Sequence, residues 1–302
     1  VSWKVLDSVN FGVPQSRKRV FIVGTKNEKV SLDNFEPTFK VLKDVLESDK
    51  PIMKTDFTKK LLSHFTVEEL YGKSIKDKRG GENNIHSWDI GVKGECSKDQ
   101  INLLNRLFKE CRKKQWASEI GIDWMDGMPL TLSQIESFFP VNNLFESVDV
   151  KALLDDLVEK GYIKFEHPKK LISEVAENGT ITPRVYDETK PKGYNIVTGK
   201  LSFEVNKILN PFEIAPTLVA TDMVKIVVPD GKGIRKLTIR EGLRIFGYPE
   251  NYEIPVKESL AFDLLGNTVV VPVIKAVAER ILDALEVSEY EIEETENTGV
   301  II

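Results

Sequence analysis

Hydrophobic residues along this chain follow two different periods, which separate predicted strands from predicted helices. The run Val20–Gly24 is short and apolar and ends in glycine, so it predicts a buried β-strand. Between Lys98 and Trp116, apolar residues return at the spacing of one helical face. The residues on that face are Ile101, Leu104, Leu107, Phe108 and Cys111.

A second pair of helices is predicted farther along, at Leu130–Phe139 and Val150–Gly161. Thr131 or Ser133 can cap the first helix, and Gly161 can end the second. The residues after Gly161 and a Pro-Lys-Lys turn then indicate a hairpin. Helix, turn, helix and hairpin is the order of a winged helix-turn-helix, a unit that can place a helix in the DNA major groove. The alternative is a helical insertion that only packs, which the acidic character of the two helices keeps open.

The last third of the chain is predicted to combine short strands with helices. Lys225–Val228 forms a strand that leads into an Asp-Gly hairpin turn. Thr238 caps a helix over Ile239–Phe246, with Glu241 at the third helical position as in a capping box. Pro272 opens the final helix.

Composition places the chain among globular proteins. It has 302 residues, of which 41% are hydrophobic and 29% charged, and this length is enough for two domains. No apolar run approaches the roughly 20 residues of a membrane span. Two cysteines and three scattered histidines predict no metal site and favour a reducing, cytosolic compartment.

Net charge alone does not identify a partner. The chain carries a charge of −5, which argues against DNA, but six glutamates lie within residues 286–296, without any Lys or Arg. Without that segment the charge would be +1, and DNA contact needs only a local basic surface.

Three ordered motifs carry the strongest signal. Phe11–Gly24 contains Gly-x-Pro-Gln-x-Arg-x-Arg before its apolar run, Leu237–Pro249 contains Arg-Glu followed by Arg, Phe and Pro, and Gly266–Pro272 has the sequence Gly-Asn-Thr-Val-Val-Val-Pro. In this order they resemble the last three conserved motifs of the DNA (cytosine-5) methyltransferases. The long segment between the first two resembles, by its position, the variable target-recognition domain of that family.

The first motif suggests contacts with DNA. Gln15, Arg17 and Arg19 alternate along an extended segment and so share one face, where two guanidinium groups can hold phosphates and the edge of a base. The resemblance implies that Arg19 touches the flipped cytosine and that Arg17 helps to order the site, since a base must leave the stack to be methylated. The alternative is a basic turn on the surface.

The third motif suggests a cofactor site. A tight turn at Gly266 precedes Asn267, Thr268 and Val269, where the Thr hydroxyl and backbone N–H groups can hold the carboxylate of S-adenosyl-L-methionine. The alternative is an ordinary helix N-cap. The resemblance implies that only part of the cofactor site is present in this chain.

Two smaller groups complete the predicted site. Thr217 and Leu218 resemble the Thr-Leu pair that ends recognition domains and are expected to shape the loop that reads DNA, although a plain turn is the alternative. A structural group lies at helical spacing and is expected to tie the recognition domain to the catalytic fold. Its members are Arg240, Glu241 and Arg244.

The expected fold is α/β. A partial, doubly wound, S-adenosylmethionine-dependent methyltransferase domain would come from residues 1–28 and 235–286. An α+β target-recognition domain would be inserted at 29–234, with a winged-helix-like part at about 98–170. Residues 287–302 would form an acidic tail, solvated and mobile.

The catalytic cysteine of the family is not matched by any motif in this chain. The chemistry needs a thiolate preceded by Pro, whereas Cys96 and Cys111 each follow Glu. The glycine-rich cofactor loop and the Glu-Asn-Val motif are also missing, and Glu82-Asn83-Asn84 resembles the latter only superficially.

The sequence therefore predicts the C-terminal portion of a cytosine-5 DNA methyltransferase, inactive without the N-terminal part. That part is expected in cis or as a separate subunit, and a start without Met favours a piece of a longer chain. Double-stranded DNA is the expected partner, no membrane is expected, and the resemblance implies a bacterial, nucleoid-associated protein of a restriction-modification system.

Two rival functions remain. A stand-alone, sequence-specific DNA-binding module would reuse the recognition domain, but Asn267 and Thr268 would then have no purpose. A scaffold with no affinity for DNA is the other rival, which the acidic helix around Leu153–Glu159 keeps open.

Overall fold

The computed structural model describes residues 1–26, 29–77, 83–123, 127–139, 149–171, 184–197 and 203–297. For residue 171 and residues 286–297 it describes the backbone alone. Glu82 and residues 298–302 of the predicted acidic tail lie outside the described residues.

Helices and strands are mixed throughout this part of the chain. The helices are α1 (Asp56–His64), α2 (Lys98–Glu110), α3 (Lys114–Glu119), α4 (Leu132–Phe138), α5 (Val150–Glu159), α6 (Ala220–Met223), α7 (Ile239–Ile245), α8 (Glu258–Asn267) and α9 (Val271–Asn297). The strands are β1 (Ser2–Asp7), β2 (Lys18–Val23), β3 (Ser74–Ile75), β4 (Asn84–Ile85), β5 (Ile163–Glu166), β6 (Lys169–Leu171), β7 (Arg184–Tyr186), β8 (Gly193–Ile196), β9 (Lys207–Ile208), β10 (Ile226–Asp230) and β11 (Gly233–Lys236).

The chain divides into two compact units. The first comprises Val1–Lys73 and Phe203–Ile302, and the second comprises Ser74–Ser202. This division differs in extent from the predicted 29–234 insertion, because residues 29–73 and 203–234 pack with the two chain ends. The core shows the reason, since Leu42, Val228 and Leu243 belong to one buried apolar cluster.

The first unit begins with an antiparallel pair of strands, β1 and β2. Their side chains alternate between two faces, as the pleat requires. Leu6 and Val23 point into the core, whereas Trp3 and Ile22, which are paired in register, are each 71% exposed. The prediction of a fully buried strand at Val20–Gly24 is therefore wrong for one face of β2, although the strand itself is confirmed.

A second group of strands in this unit supports the predicted hairpin near Asp230. β10 runs parallel to β9 and antiparallel to β11, and Gly231 makes the turn with a φ of 56°. That left-handed backbone conformation favours glycine. Helix α7 then begins at Thr238, whose hydroxyl accepts from the Glu241 amide while the Glu241 carboxylate accepts from the Thr238 amide. The predicted capping box is thereby confirmed.

The Glu241 carboxylate also forms a buried ion pair that the sequence did not suggest. Its two oxygens accept from Arg235 Nη1 at 2.8 Å and Nη2 at 2.7 Å, and both side chains are almost fully buried. Arg235 also donates to the Asp230 carboxylate and to the carbonyl of Glu47. Every side of the pair is hydrogen-bonded, which is the condition under which a buried charge pair is tolerated.

The second unit has a helical core closed by strands. The predicted apolar face of α2 is confirmed, with Leu104, Leu107 and Phe108 buried, although the helix stops at Glu110 and α3 restarts at Lys114. Helices α4 and α5 also follow the predicted pattern. Thr131 caps α4, and Gly161 follows α5 with a φ of 77°.

The strands of this unit are arranged around β8. Strand β5 pairs antiparallel with β8, and Leu130, just before α4, exchanges two backbone hydrogen bonds with Tyr194 on its other side. Strands β6 and β7 form an antiparallel pair between β5 and β8 in the chain order. From α2 onward the order is therefore two helices, the extended residue Leu130, two more helices, and four strands, of which β6 and β7 pair with each other.

The end of the chain contains a helix and a helix extension that were not predicted. Residues 258–267 form α8, which buries Ala261, Phe262 and Leu265. Helix α9 continues to Asn297, through most of the segment predicted as a mobile tail, and glutamate has a high helix propensity. Among the described residues no single helix has the length and apolar character to cross a membrane, and α8 with α9 to Leu285 meets that test only as a pair bent by 41°.

Replacement of Glu241 tests the buried ion pair. Glu241→Gln removes the charge that faces Arg235 but keeps the size of the side chain. Breaking one partner of such a pair typically costs about 3–5 kcal/mol, so we expect the urea midpoint of unfolding to fall clearly. Glu250→Gln is the control, because Glu250 is the exposed partner of Arg244 and should leave the midpoint nearly unchanged. Equal effects of the two substitutions would contradict this account.

Candidate functional site

A cleft in the first unit brings the first and third motifs together. It has a volume of about 250 Å3. On one side lie residues at the start of β2, and on the other lie the end of α8 and the start of α9. Its lining residues are Arg17, Arg19, Val20, Phe21, Asn267, Thr268, Val269, Val270 and Val273. Five residues that the sequence predicted for DNA and cofactor contacts therefore line the same cleft.

Arg17 holds the two sides of the cleft together. Its Nη1 donates to the carbonyl of Leu218 at 2.9 Å, and its Nη2 donates to the carbonyls of Gly266 and Thr268, both at 3.1 Å. The guanidinium carbon also lies 5.7 Å from the centre of the Phe246 ring. One planar group with a fixed fork of donors can satisfy three carbonyls at once, which a lysine cannot do.

Gly266 makes this arrangement possible by allowing two backbones to touch. A Cβ atom at this position would lie 2.1 Å from the Ala220 nitrogen and 2.8 Å from the Val219 carbonyl carbon. Because no side chain fits there, glycine is required for the close packing of α8. The sequence had indicated a tight turn at Gly266, and this detail is wrong, since Gly266 and Asn267 are the last two residues of α8.

Gln15 is buried rather than exposed toward the cleft. Its Oε1 accepts from the Leu218 amide at 3.0 Å, and its Nε2 finds no hydrogen-bond acceptor among the described residues. The backbone beside it pairs with Ala215, and the Thr217 hydroxyl donates to the Ser16 carbonyl at 2.7 Å. Gln15 thus joins the first motif to the Thr-Leu pair.

Thr217 and Leu218 differ in what they can offer to DNA. Leu218 is fully buried, and both its amide and its carbonyl are used inside the site. Thr217 is exposed. A direct contact by this pair would therefore have to come from Thr217, while Leu218 shapes the backbone on which it sits.

Arg19 is the exposed cation of the cleft. Its Nη1 donates to the carbonyl of its neighbour Lys18 at 2.7 Å, and as far as the described residues are concerned its other donors remain available to a ligand. Arg17, in contrast, is only 8% exposed, and burial together with repulsion from Arg19 lowers the pKa of Arg17 below its ordinary value. Two cations at one cleft favour an anionic or electron-rich ligand.

The third motif presents one hydroxyl, one amide and one apolar side chain. The Thr268 and Tyr248 hydroxyls are 2.8 Å apart, and Asn267 Nδ2 donates to the Asp263 carbonyl at 3.0 Å. Val269 is half exposed. Tyr248 was missed by the sequence reasoning, although it lies in the second motif between Gly247 and Pro249 and could have been noticed there.

The cleft is smaller than the pockets that usually enclose a whole small ligand. Pockets that enclose small ligands usually have volumes of roughly 300–1,000 Å3, and this cleft is smaller. It offers a hydroxyl, an amide and backbone groups on one side and apolar contacts on the other. A neighbouring groove of about 490 Å3 shares Asn267 and Thr268 and is lined by Tyr248 and Tyr252.

The predicted structural group divides into three different roles. Glu241 belongs to the buried ion pair described above. Arg244 donates to both carboxylate oxygens of the exposed Glu250, at 2.8 and 2.9 Å, and more weakly to the Val45 carbonyl. Arg240 has a buried Nη1 without an acceptor among the described residues. Arg235 was missed, and its only sequence signal is a charged residue that follows Ile234 just after the predicted Asp-Gly turn.

Both cysteines lie in the second unit, and neither is exposed. Burial is the main cause that raises the pKa of Cys96 to about 11, so at neutral pH its thiol is protonated. Cys111 is buried in the helical core of the second unit. Both observations agree with the sequence, in which neither cysteine follows a proline.

Replacement of Arg17 and Arg19 should separate structure from binding. Arg17→Ala removes three charge-assisted hydrogen bonds from a buried position, each typically worth about 1.5–3 kcal/mol, so we expect a loss of at least several kcal/mol in unfolding free energy. Arg19→Ala should leave the unfolding free energy unchanged. Chemical denaturation followed by circular dichroism measures both, and similar losses in the two variants would refute the distinction.

Comparison with known proteins agrees with these motifs. A family model of C-5 cytosine-specific DNA methylases matches residues 1–283. The chain is 54% identical over 286 residues to the Type II methyltransferase M.NlaIV of Neisseria lactamica, which covers 94% of this chain and 64% of that protein. It is 51% identical over 285 residues to M.NgoBV of Neisseria gonorrhoeae, with the same two coverages.

A more distant relative is also a Type II methyltransferase and matches a similar share of both chains. The Type II methyltransferase M.HgiCI of Herpetosiphon aurantiacus is 36% identical over 299 residues, covering 90% of this chain and 63% of that protein. The chain thus spans less than two thirds of the length of these curated relatives. By its motifs and by a family match over almost its whole length, the chain belongs to the C-5 cytosine-specific DNA methylases.

Proposed function

We propose that this chain is the C-terminal portion of a DNA (cytosine-5-)-methyltransferase, which binds double-stranded DNA and completes the site of methyl transfer. The observation that carries the proposal is the Arg17 guanidinium, which joins Leu218, Gly266 and Thr268 and so gathers three separate segments around one cleft. Arg19 and Thr268 line that cleft from opposite sides.

Different residues of the cleft would contact the base and the cofactor. Arg19 carries the available cation and would contact the extruded cytosine, while Arg17 and Gln15 hold the surrounding backbone. Asn267, Thr268 and Val269 would hold one end of S-adenosylmethionine, which supplies the methyl group when it is bound. The small volume of the cleft supports a cofactor site that is completed by residues from elsewhere.

The nucleophilic cysteine would also come from elsewhere. The reaction needs a thiolate that adds to the cytosine ring and leaves again after C5 has received the methyl group and lost its proton. A protonated Cys96 and a buried Cys111 do not supply it. We therefore propose that the chain is inactive without the N-terminal part of the enzyme, in cis or as a separate subunit.

The outer face of the β1–β2 pair supports such a partner. Trp3, Val5, Val20 and Ile22 share this face and are at least half exposed. A contiguous exposed apolar patch often marks a site of protein–protein contact. We propose that the N-terminal part packs on this face and extends the two strands into the doubly wound sheet.

The second unit would be the core of the target-recognition domain. In space, Leu130 and β5 lie on either side of β8, and in the chain the β6–β7 hairpin lies between β5 and β8. This arrangement supports a winged-helix-like subdomain. A DNA-binding module without catalysis would not explain why Asn267 and Thr268 line the same cleft as Arg19. A bacterial enzyme of this kind would act in the cytoplasm, at the nucleoid.

A complementation assay tests the proposal. Methyl transfer from labelled S-adenosylmethionine to mixed-sequence DNA would be measured with this chain, with the part of M.NlaIV that it does not match, and with both. We expect activity only in the mixture, and we expect Cys96→Ser with Cys111→Ser to leave that activity unchanged. Activity of this chain alone that is lost on Cys96→Ser would overturn the assignment of the nucleophile. If the mixture transfers no methyl group but still binds DNA, a recognition module without catalysis would be favoured.

Arg19 should matter for turnover and not for folding. In the active mixture, Arg19→Ala removes one charge-assisted contact with the base, and the loss of roughly 1.5–3 kcal/mol corresponds to about 10- to 100-fold in rate. Lys18→Ala is the matched control, because Lys18 is the exposed neighbour on β2 that does not line the cleft. Equal rates for Arg19→Ala and wild type would rule out the proposed contact.

A further inference from the structure

Charge is distributed unevenly within the second unit. Residues 149–159, which contain α5 and its N-cap, carry four acidic side chains and one basic side chain. The described residues 163–171 and 184–197, which contain the β6–β7 hairpin and its flanking strands, carry six basic and three acidic side chains. The two elements that a winged helix can present to DNA therefore have opposite charge.

The acidic charge of α5 lies on the side of the helix that is open to solvent. Its inner side is buried through Val150, Leu154 and Leu157. The exposed positions Asp155 and Glu159 face outward. The phosphates that border a major groove would repel a helix with such a surface, since duplex DNA carries one negative charge per about 1.7 Å of its axis.

One face of the hairpin has the opposite character. Lys169 pairs with Tyr186 in the register, and Leu171 pairs with Arg184, so all four positions lie on the same face. The Lys169 ammonium lies 5.2 Å from the centre of the Tyr186 ring. Arg184 is exposed, and Tyr186 is 48% exposed. Two cations with an aromatic ring between them form a surface suited to phosphate and sugar.

The hairpin is fixed to the rest of the unit by a partly buried carboxylate. Glu166 accepts from the Tyr186 hydroxyl at 2.8 Å and from Asn195 Nδ2 at 2.9 Å. Burial by itself would raise the pKa of Glu166, but hydrogen bonds from Asn195, Lys164 and Tyr186 outweigh it and lower the pKa below its ordinary value. The ionised carboxylate thus holds the cationic face in a defined orientation.

We propose that the β6–β7 hairpin, through Lys169, Arg184 and Tyr186, contacts the phosphate backbone of duplex DNA, and that α5 faces away from it. This inference rests on the proposed function for its choice of DNA as the polyanion. Phosphate contacts position a protein without reading sequence. The hairpin would therefore orient the recognition domain, while other residues read the bases.

Salt-dependent binding tests the hairpin. Fluorescence anisotropy of a labelled duplex would be followed with the full 302-residue chain over a range of NaCl concentrations. Each lost phosphate contact lowers the slope of log K against log[salt] by about 0.9. For Lys169→Gln with Arg184→Gln we expect a slope lower by about 1.8 and an affinity in 0.1 M salt that is roughly 10- to 100-fold weaker.

Two controls locate the effect. Lys98→Gln with Lys109→Gln makes the same change of charge on exposed positions of α2 and should not alter the slope. Lys151→Gln removes the one cation of α5 and should not alter it either. Unfolding midpoints equal to that of the wild-type chain would show that the variants are folded.

The outcomes distinguish this inference from the proposed function. A slope change only in the hairpin variant supports the hairpin even if the complementation assay fails. Three results would overturn the proposed role of the hairpin. The hairpin variant could bind like the α2 control, Lys151→Gln could change the slope, or the wild-type chain could show no affinity for DNA at low salt. In all three of these cases methyl transfer by the mixture can still establish the enzyme.

Discussion

The Arg17 guanidinium imposes the constraint on which the candidate site depends. Three backbone carbonyls from segments that are more than 200 residues away in sequence converge on it. Buried carbonyls need donors, and a buried guanidinium needs acceptors, so each side fixes the other. Gly266 contributes by allowing α8 to approach the Val219–Ala220 backbone, which brings the carbonyls within reach. The shape of the cleft follows from this single hub.

A second buried charge stabilises the scaffold behind the cleft. The Arg235–Glu241 pair joins the β10–β11 hairpin to the first turn of α7 and to the backbone at Glu47. Helix α7 continues to Ile245, and the Phe246 ring that follows it stacks against Arg17. The Arg235–Glu241 pair therefore lies at the start of α7, and the Arg17 guanidinium lies beside the residue that follows its end. Helix α7 is thus held at its start by the ion pair, while Leu243 and Ile245 bury its inner side in the core.

Much of the fold could be predicted, because local rules dominate where a segment has a clear period or a capping residue. The faces of α2, the caps of α4 and α7, the end of α5 at Gly161 and the turn at Gly231 were all predicted in this way. The misses have a common cause. The exposed face of β2, the true extent of the two units and the role of Gly266 depend on which distant segment packs against each residue, and periodicity contains no such information.

The sequence by itself determined the family and the order of its motifs, and it supplied the residues that we propose for contacts with DNA and cofactor. Only the tertiary structure decided that Arg17 is buried and bonded to three carbonyls while Arg19 is an exposed cation, although both lie on the same basic segment. It also decided that the Arg235 side chain is buried and paired. Alternation along a strand indicates which residues share a face, but burial depends on what lies opposite that face. For Arg17 the opposite side comes from segments more than 200 residues away, and for Arg235 it includes the backbone at Glu47, far back in the chain.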